Sequence, residues 1–162
     1  MAVDMFIKIG DIKGESIDKG GHKEEIDVLA WSWGLSQSGS FHGGSGGGAG
    51  KVSIQDISVT KYVDTASTAL VLACCKGTHI DSAVLTVRKA GDKPLEYIKI
   101  TLTKVLVSSV STGGSGGEDR LTENLSLNFA KFKVEYTKQA DKGGKDATST
   151  AEWDIPGNEA AA

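Results

Sequence analysis

The stretch Leu95–Tyr136 constrains the fold more than any other part of the chain. It reads as two long strands joined by a glycine-rich turn: LEYIKITLTKVLVSSV, then STGGSGGEDR, then LTENLSLNFAKFKVEY. Strands commonly run about 5–6 residues, and each of these is more than twice that. Neither keeps one alternation. Ile98, Ile100 and Leu102 share a parity, but beyond Lys104 the apolar positions become Val105 and Val107. In the second strand Leu125, Leu127 and Phe129 hold one parity, and Phe132, Val134 and Tyr136 hold the other. Successive side chains point to opposite faces, so a flip requires a bulge, a bend or a second buried face. Two long strands that both flip predict strands wrapping from one sheet into another, as in a barrel or a tightly curled sandwich.

A chain of 162 residues suffices for one domain that buries roughly 70% of its unfolded surface. Its 21 glycines against 2 prolines are concentrated at Gly43–Gly50 and Gly113–Gly117, where loops are expected. The formal charge is −3 and no Lys/Arg block stands out, which leaves nucleic-acid binding without an electrostatic footprint. No run approaches a membrane span, so no membrane insertion is expected. The start MAVDMFIKIGDIKG lacks a basic region followed by an apolar core, so no signal peptide is expected. Cys74 and Cys75 are adjacent, a poor geometry for a disulfide, and read as reduced thiols of a protein made in the cytoplasm.

Along the chain, Met5–Ile9 is a short first strand and Gly10–Glu24 a loop. Ile26–Gln37 reads as one strand with Leu29, Trp31, Trp33 and Leu35 on a core face. Its other face, Val28, Ala30, Ser32, Gly34 and Ser36, is small and weakly polar where an ordinary solvent face would carry Lys or Glu. That predicts either a cavity or channel lining, or close cover by another element. Ser38–Gly50 is a long glycine loop with Phe41 near its middle, either a mobile surface loop or an arm that docks on a partner. Val52–Tyr62 is a strand with a break near Gln55–Asp56. A helix follows over Thr65–Lys76, capped by Asp64 or Thr65 and ended by Gly77, with a narrow face of Ala69, Leu70, Ala73 and Cys74. One helix among strands is expected to plug an open barrel end. Ala83–Lys89 is a strand and Ala90–Pro94 a turn. Gln139–Thr150 reads as a polar connection, Ala151–Ile155 as a last strand, and Asn158–Ala162 as a flexible tail beyond a domain of residues 1–157.

No chemical constellation stands up. Gly113–Gly117 lacks the Gly-Lys-Ser/Thr and the following helix of a phosphate loop, and Glu118–Asp119 would repel phosphate. Cys74, Cys75 and His79 lack a second ligand pair at metal spacing. Gly43-Gly44-Ser45-Gly46-Gly47 contains Gly-x-Ser-x-Gly only as low-complexity glycine between strands. His22, His42 and His79 fall in loops or at a strand start. No catalytic residue, metal ligand or cofactor site is expected.

The opening VDMFIKIGDIKGES, the segment EEIDVLAWSWGLSQSG, the run VLVSSVSTGGSGGEDRLTENLSLNFAKFKVEY and the late EWDI resemble, in order, the Hcp family of type VI secretion tube proteins. The resemblance spans about Ala2 to Ile155. It implies a mainly β fold: two curled antiparallel sheets forming a small β-barrel with one short α-helix. It implies a structural subunit, a homohexameric ring that stacks into an exported tube and carries or chaperones small effector proteins. The implied partners are further copies of itself, a spike protein, a sheath and those effectors. Within it, Ser32, Ala30 and Gly34 become channel-facing candidates. Phe41, His42, Gly43, Gly44, Ser45 and Gly46 become a subunit interface, and Gly91, Gly113, Gly114, Ser115 and Gly116 become ring-stacking positions. The rival readings are a monomeric or dimeric β-barrel binding module for sugar or peptide, and a hydrolase using an exposed serine.

Overall fold

The computed structural model describes residues 2–39 and 50–161. In chain order the elements are β1 (Val3–Ile9), β2 (Ile26–Asp27), β3 (Ala30–Ser32), β4 (Leu35–Ser36), β5 (Ser53–Ile54), β6 (Ile57–Tyr62), α1 (Ala66–Lys76), β7 (Ile80–Lys89), β8 (Leu95–Thr112), β9 (Thr122–Gln139), β10 (Lys145–Asp154) and β11 (Glu159–Ala160). Nine strands make one sheet along the path β11-β10-β9-β8-β7-β1-β2, with β6 on β9 and β3 on β6. β4 and β5 pair as a separate ribbon. Every strand pair is antiparallel. The fold is thus mainly β with one α-helix among the described residues, as the sequence predicts.

β8 and β9, each 18 residues long, form the backbone of the sheet. Ile100 and Leu102 are buried before Lys104, and Val105 and Val107 after it. Lys104 adopts a φ of 56°, a left-handed conformation uncommon outside glycine. The ladder runs Thr103↔Lys131 then Val105↔Phe129, so Lys104 lies opposite Ala130, where the parity of β9 also flips. Both flips are therefore one shared kink, crossed without a change of register. The Ala130 carbonyl accepts the Ile155 N–H there, at 2.9 Å. A separate bulge interrupts β8 between Val107 and Ser109.

The single strand expected over Ile26–Gln37 is three short ones. The Val28 N–H donates to Met5 O of β1, and the next residue, Leu29, donates to Thr60 O of β6. The chain changes partner between consecutive residues, and no single alternation survives the change. Val28 is consequently buried, while Leu29 and Leu35, expected in the core, are 39% and 53% exposed. Trp31 and Trp33 stay half-buried against the core. The break expected near Gln55–Asp56 is present, and it sends β5 and β6 to different sheets. β10 begins at Lys145 rather than Ala151, because Lys145–Ala151 is exposed throughout and carries no apolar alternation. Glu159–Ala160, expected as tail, pairs with Trp153–Asp154.

The core gathers Ile7, Ile9, Ile26, Ile57, Leu70, Leu85 and Leu127, all fully buried. Each such side chain contributes about 1.5–3 kcal/mol. α1 packs along β8 through Leu70 and Ala73. Its start is capped by Asp64 Oδ1, which accepts the Ala66 N–H at 3.0 Å, and its end by Gly77 at φ 59°. The loop between β1 and β2 is closed tightly. A Cβ on Gly14 would lie 2.4 Å from Glu25 O, so only glycine fits there.

Candidate functional site: a neutral polar sheet face

Four strands present one uninterrupted small polar surface. Ser32 of β3 pairs with Ser58 of β6, Ser58 with Ser126 of β9, and Ser126 with Ser109 of β8. The adjacent rung is Ala30, Thr60, Asn124 and Ser111. Directly paired residues share a face. The intervening positions Ile57, Val59, Leu125, Leu127 and Val107 are buried, so these rungs look outward. Ser32, Ser58, Ser109, Ser111, Asn124 and Ala30 are exposed; Thr60 and Ser126 are half-buried.

The hydroxyls are tied to one another. Thr60 Oγ1 donates to Asn124 Oδ1 at 2.6 Å. The bulge in β8 brings both Ser108 and Ser109 to Ser126, as expected when two residues oppose one. Ser108 Oγ also donates to Asp56 Oδ2 at 2.7 Å, and Asn128 Nδ2 to Asp56 Oδ1 at 2.8 Å. Asp56 therefore has both carboxylate oxygens hydrogen-bonded, and on the other side Arg120 lies over the ring of Tyr62, the next outward position of β6. Gly34 continues the β3 side. Its carbonyl accepts the Gln55 N–H at 3.0 Å, and the Trp33 indole donates to Gln55 O at 2.9 Å. On the inner side Trp33 stands edge-on to Phe132, with ring centres 4.9 Å apart.

Of the residues singled out from sequence, Ala30 and Ser32 lie together on this face, and Gly34 follows beyond the end of β3 against Gln55. Gly91 lies in the β7–β8 turn, and Gly113, Gly114, Ser115 and Gly116 lie in the β8–β9 turn, at the opposite end of the long strand. Phe41, His42, Gly43, Gly44, Ser45 and Gly46 fall outside the described residues. Sequence reasoning missed Ser58, Thr60, Asn124, Ser126 and Ser109. Their signal was present in ISVTKY and LTENLSLNF, where the positions between the core residues are small and nearly all uncharged.

Two charge clusters lie apart from this face. Lys61, fully buried, meets Asp64, Glu123 and Ser67 at the start of α1. His22, Glu25, Glu96, Arg88 and Asp18 gather at the root of the β7–β8 turn. Among the described residues no group of three His, Cys, Asp or Glu side chains could hold a metal ion. Among them, too, no helix is long and apolar enough to cross a membrane.

Fold and face together define a mainly β protein built on one extended antiparallel sheet. Residues 6–136 match the family model described as the type VI secretion system effector Hcp. The chain is 62% identical over 147 residues to protein hcp1 of Pseudomonas aeruginosa, covering 90% of each. It is similar to the crystal structure of Hcp1 from Salmonella typhimurium, with a TM-score of 0.81 and 42% identity, covering 99% of this chain and 100% of that one. A solved type six secretion system protein matches with a TM-score of 0.93 at 28% identity, again over 99% and 100%. The chain belongs to the Hcp family of type VI secretion tube proteins. That family is structural and secreted, and is not an enzyme family.

Proposed function

We propose that this chain closes into hexameric rings whose channel is lined by the neutral face, and that the rings stack into an exported tube. The aligned hydroxyl rungs across β3, β6, β9 and β8 carry this reading. A cargo channel must let varied surfaces slide, and rungs of small neutral side chains, with charge only at their margins, offer few strong contacts. Ser32, Ala30 and Gly34 face the lumen, together with Ser58, Ser126 and Ser109.

Closure of a ring needs two different complementary patches on each subunit. Two strand edges are suited to this. β7 covers β8 only from Leu95 to Val105, which leaves the far side of Val107–Thr112 unpaired among the described residues. β3 pairs only with β6 among them, which leaves its other side open. An edge of this kind is a template for another strand. The strands β2, β1, β7, β8, β9, β6 and β3 pair in series, and no β2–β3 pair closes them among the described residues. The chain's step from Met5 to Thr60 at Val28–Leu29 supports the reading that this sheet curls into a small barrel behind the face. The one domain expected over residues 1–157 then extends to Ala160, since β11 pairs with β10.

The arm from Phe41 to Gly46 serves as a further subunit contact. The turns holding Gly91 and Gly113–Gly116, at opposite ends of β8, serve head-to-tail stacking. The chain is made in the cytoplasm and leaves through the type VI apparatus. It works with a spike, a sheath and small effectors held in the channel. Deleting Ser40–Gly50 is expected to abolish the hexamer while leaving the β fold intact, read by light scattering and circular dichroism. A deletion variant that still elutes as a ring would remove the arm from the interface.

A further inference from the structure

The loop between β1 and β2 crosses the root of the β7–β8 turn at His22. The His22 ring stacks on Phe6 of β1, with centroids 4.5 Å apart and planes 5° from parallel. Nδ1 lies 2.5 Å from Glu25 Oε2, and Nε2 lies 2.6 Å from Glu96 Oε1. Ionised carboxylates only accept hydrogen bonds. Both contacts are therefore hydrogen bonds only when both ring nitrogens carry protons. Glu25 belongs to the loop and Glu96 is the second residue of β8, so the imidazolium joins the two.

The same loop is tied to the other side of the turn. Arg88 of β7 donates to both carboxylate oxygens of Asp18, at 3.1 and 2.7 Å, and to Asp4 of β1 at 3.1 Å. Its guanidinium lies 5.1 Å from the centre of the Phe6 ring. The turn Ala90–Pro94 is thus bracketed, by Arg88 before it and Glu96 after it. The Arg88 arm stays charged across the working range, because the Arg88 hydrogen bond holds the Asp18 carboxyl down at about 2. The other arm turns on His22, and imidazole is the side chain whose charge ordinarily changes closest to neutral pH.

We infer that His22 is a protonation-dependent latch. As imidazolium it clamps the loop to β8 and fixes the β7–β8 turn; once deprotonated it sets a bare ring nitrogen against a carboxylate, and the turn comes free. The charged groups around the ring are Glu25 and Asp18 from the loop, Asp4 from β1, Arg88 from β7 and Glu96 from β8. Burial pulls the His22 pKa down most, but the bonds from Glu96 and Glu25, with their charges, raise it overall above the ordinary 6.5. A raised pKa means the clamp is complete below about 6.5 and is lost as pH climbs through the folded-state value. Acid holds the turn and alkali releases it. This bears on the tube through the reading above, in which the turn carrying Gly91 meets the next ring.

The test is amide hydrogen exchange of the whole chain, read as protection of the strand amides that flank the turn, Arg88 to Ala90 and Leu95 to Tyr97, at about pH 6 and about pH 9. Wild type is expected to lose at least about tenfold protection there, each rate being taken relative to free exchange at the same pH. His22→Gln and Glu96→Gln are expected to be weakly protected at both values. Core amides of Leu125–Leu127 should stay protected throughout, showing that the variants fold. Wild-type protection that is flat with pH, or that falls equally in His22→Gln, overturns the latch. Stack length by light scattering over the same range is a separate reading. A turn that loosens without shortening the stacks removes the turn from the stacking face and leaves the latch standing. A chain that never forms rings contradicts the hexamer, while exchange still reports on the latch.

Discussion

Lys61→Met is expected to destabilise the fold by about 3–5 kcal/mol, the cost of leaving a buried charge pair broken. Lys61 lies on β6 with no solvent exposure. Its Nζ bonds Glu123 directly across the β6–β9 ladder, Asp64 Oδ1 at 2.8 Å and Ser67 Oγ at 3.3 Å. Ser67 Oγ in turn donates to Glu123 Oε1 at 2.6 Å and accepts the Asp64 N–H at 3.0 Å. One ammonium thus joins a central strand pair to the start of the helix. Methionine keeps the length of the side chain and removes the cation. Glu123 and Asp64, with side chains 3% and 8% exposed, would then face each other without it. A domain has about 5–15 kcal/mol in all, so the loss should show as a large fall in the urea midpoint. Adding Glu123→Gln should recover a good part of it by removing one of the stranded anions. A single variant unfolding within about 1 kcal/mol of wild type would show that the cluster contributes little beyond packing.

Ser32→Arg is expected to leave the subunit folded and the ring closed, yet weaken cargo retention at least about tenfold, or roughly 1.4 kcal/mol. Ser32 is exposed and its rung is built of serines, so a longer side chain meets open space rather than core. In a hexamer the change adds six positive charges at one level of the lumen. Ser58→Arg and Ser126→Arg should act alike, since they share the rung. Thr148→Arg on exposed β10 is the control and should change nothing. The readout is co-purification of a bound effector. Equal recovery with Ser32→Arg would place the serine rung elsewhere than on the channel.

Much of the fold could be read in the residues, and the limits have physical causes. The long hairpin and both parity flips were visible at Lys104 and between Phe129 and Phe132. That the two flips sit on one rung depends on register, which no single strand reveals. The alternation in Ile26–Gln37 was real, but the chain swaps sheet partners at Val28–Leu29 and inverts what alternation means. β10 went short because Lys145–Ala151 is exposed throughout. Ser32, Ala30 and Gly34 were found as a small face on one strand. Ser58, Asn124 and Ser126 form a face only once register sets β6, β9 and β8 side by side, which no single strand reveals. The buried cluster also had a signal. Lys61 follows Ile57 and Val59 at the inward parity, and Glu123 precedes Leu125 and Leu127 there.

The solution mass of the purified chain, by light scattering on a sizing column with electron microscopy of the peak, tests the central claim most directly. A mass six times the 16.9 kDa chain, with ring-shaped particles, is the predicted result. A monomer at all concentrations, with β8 and β3 edges left open, would contradict ring closure by this chain alone.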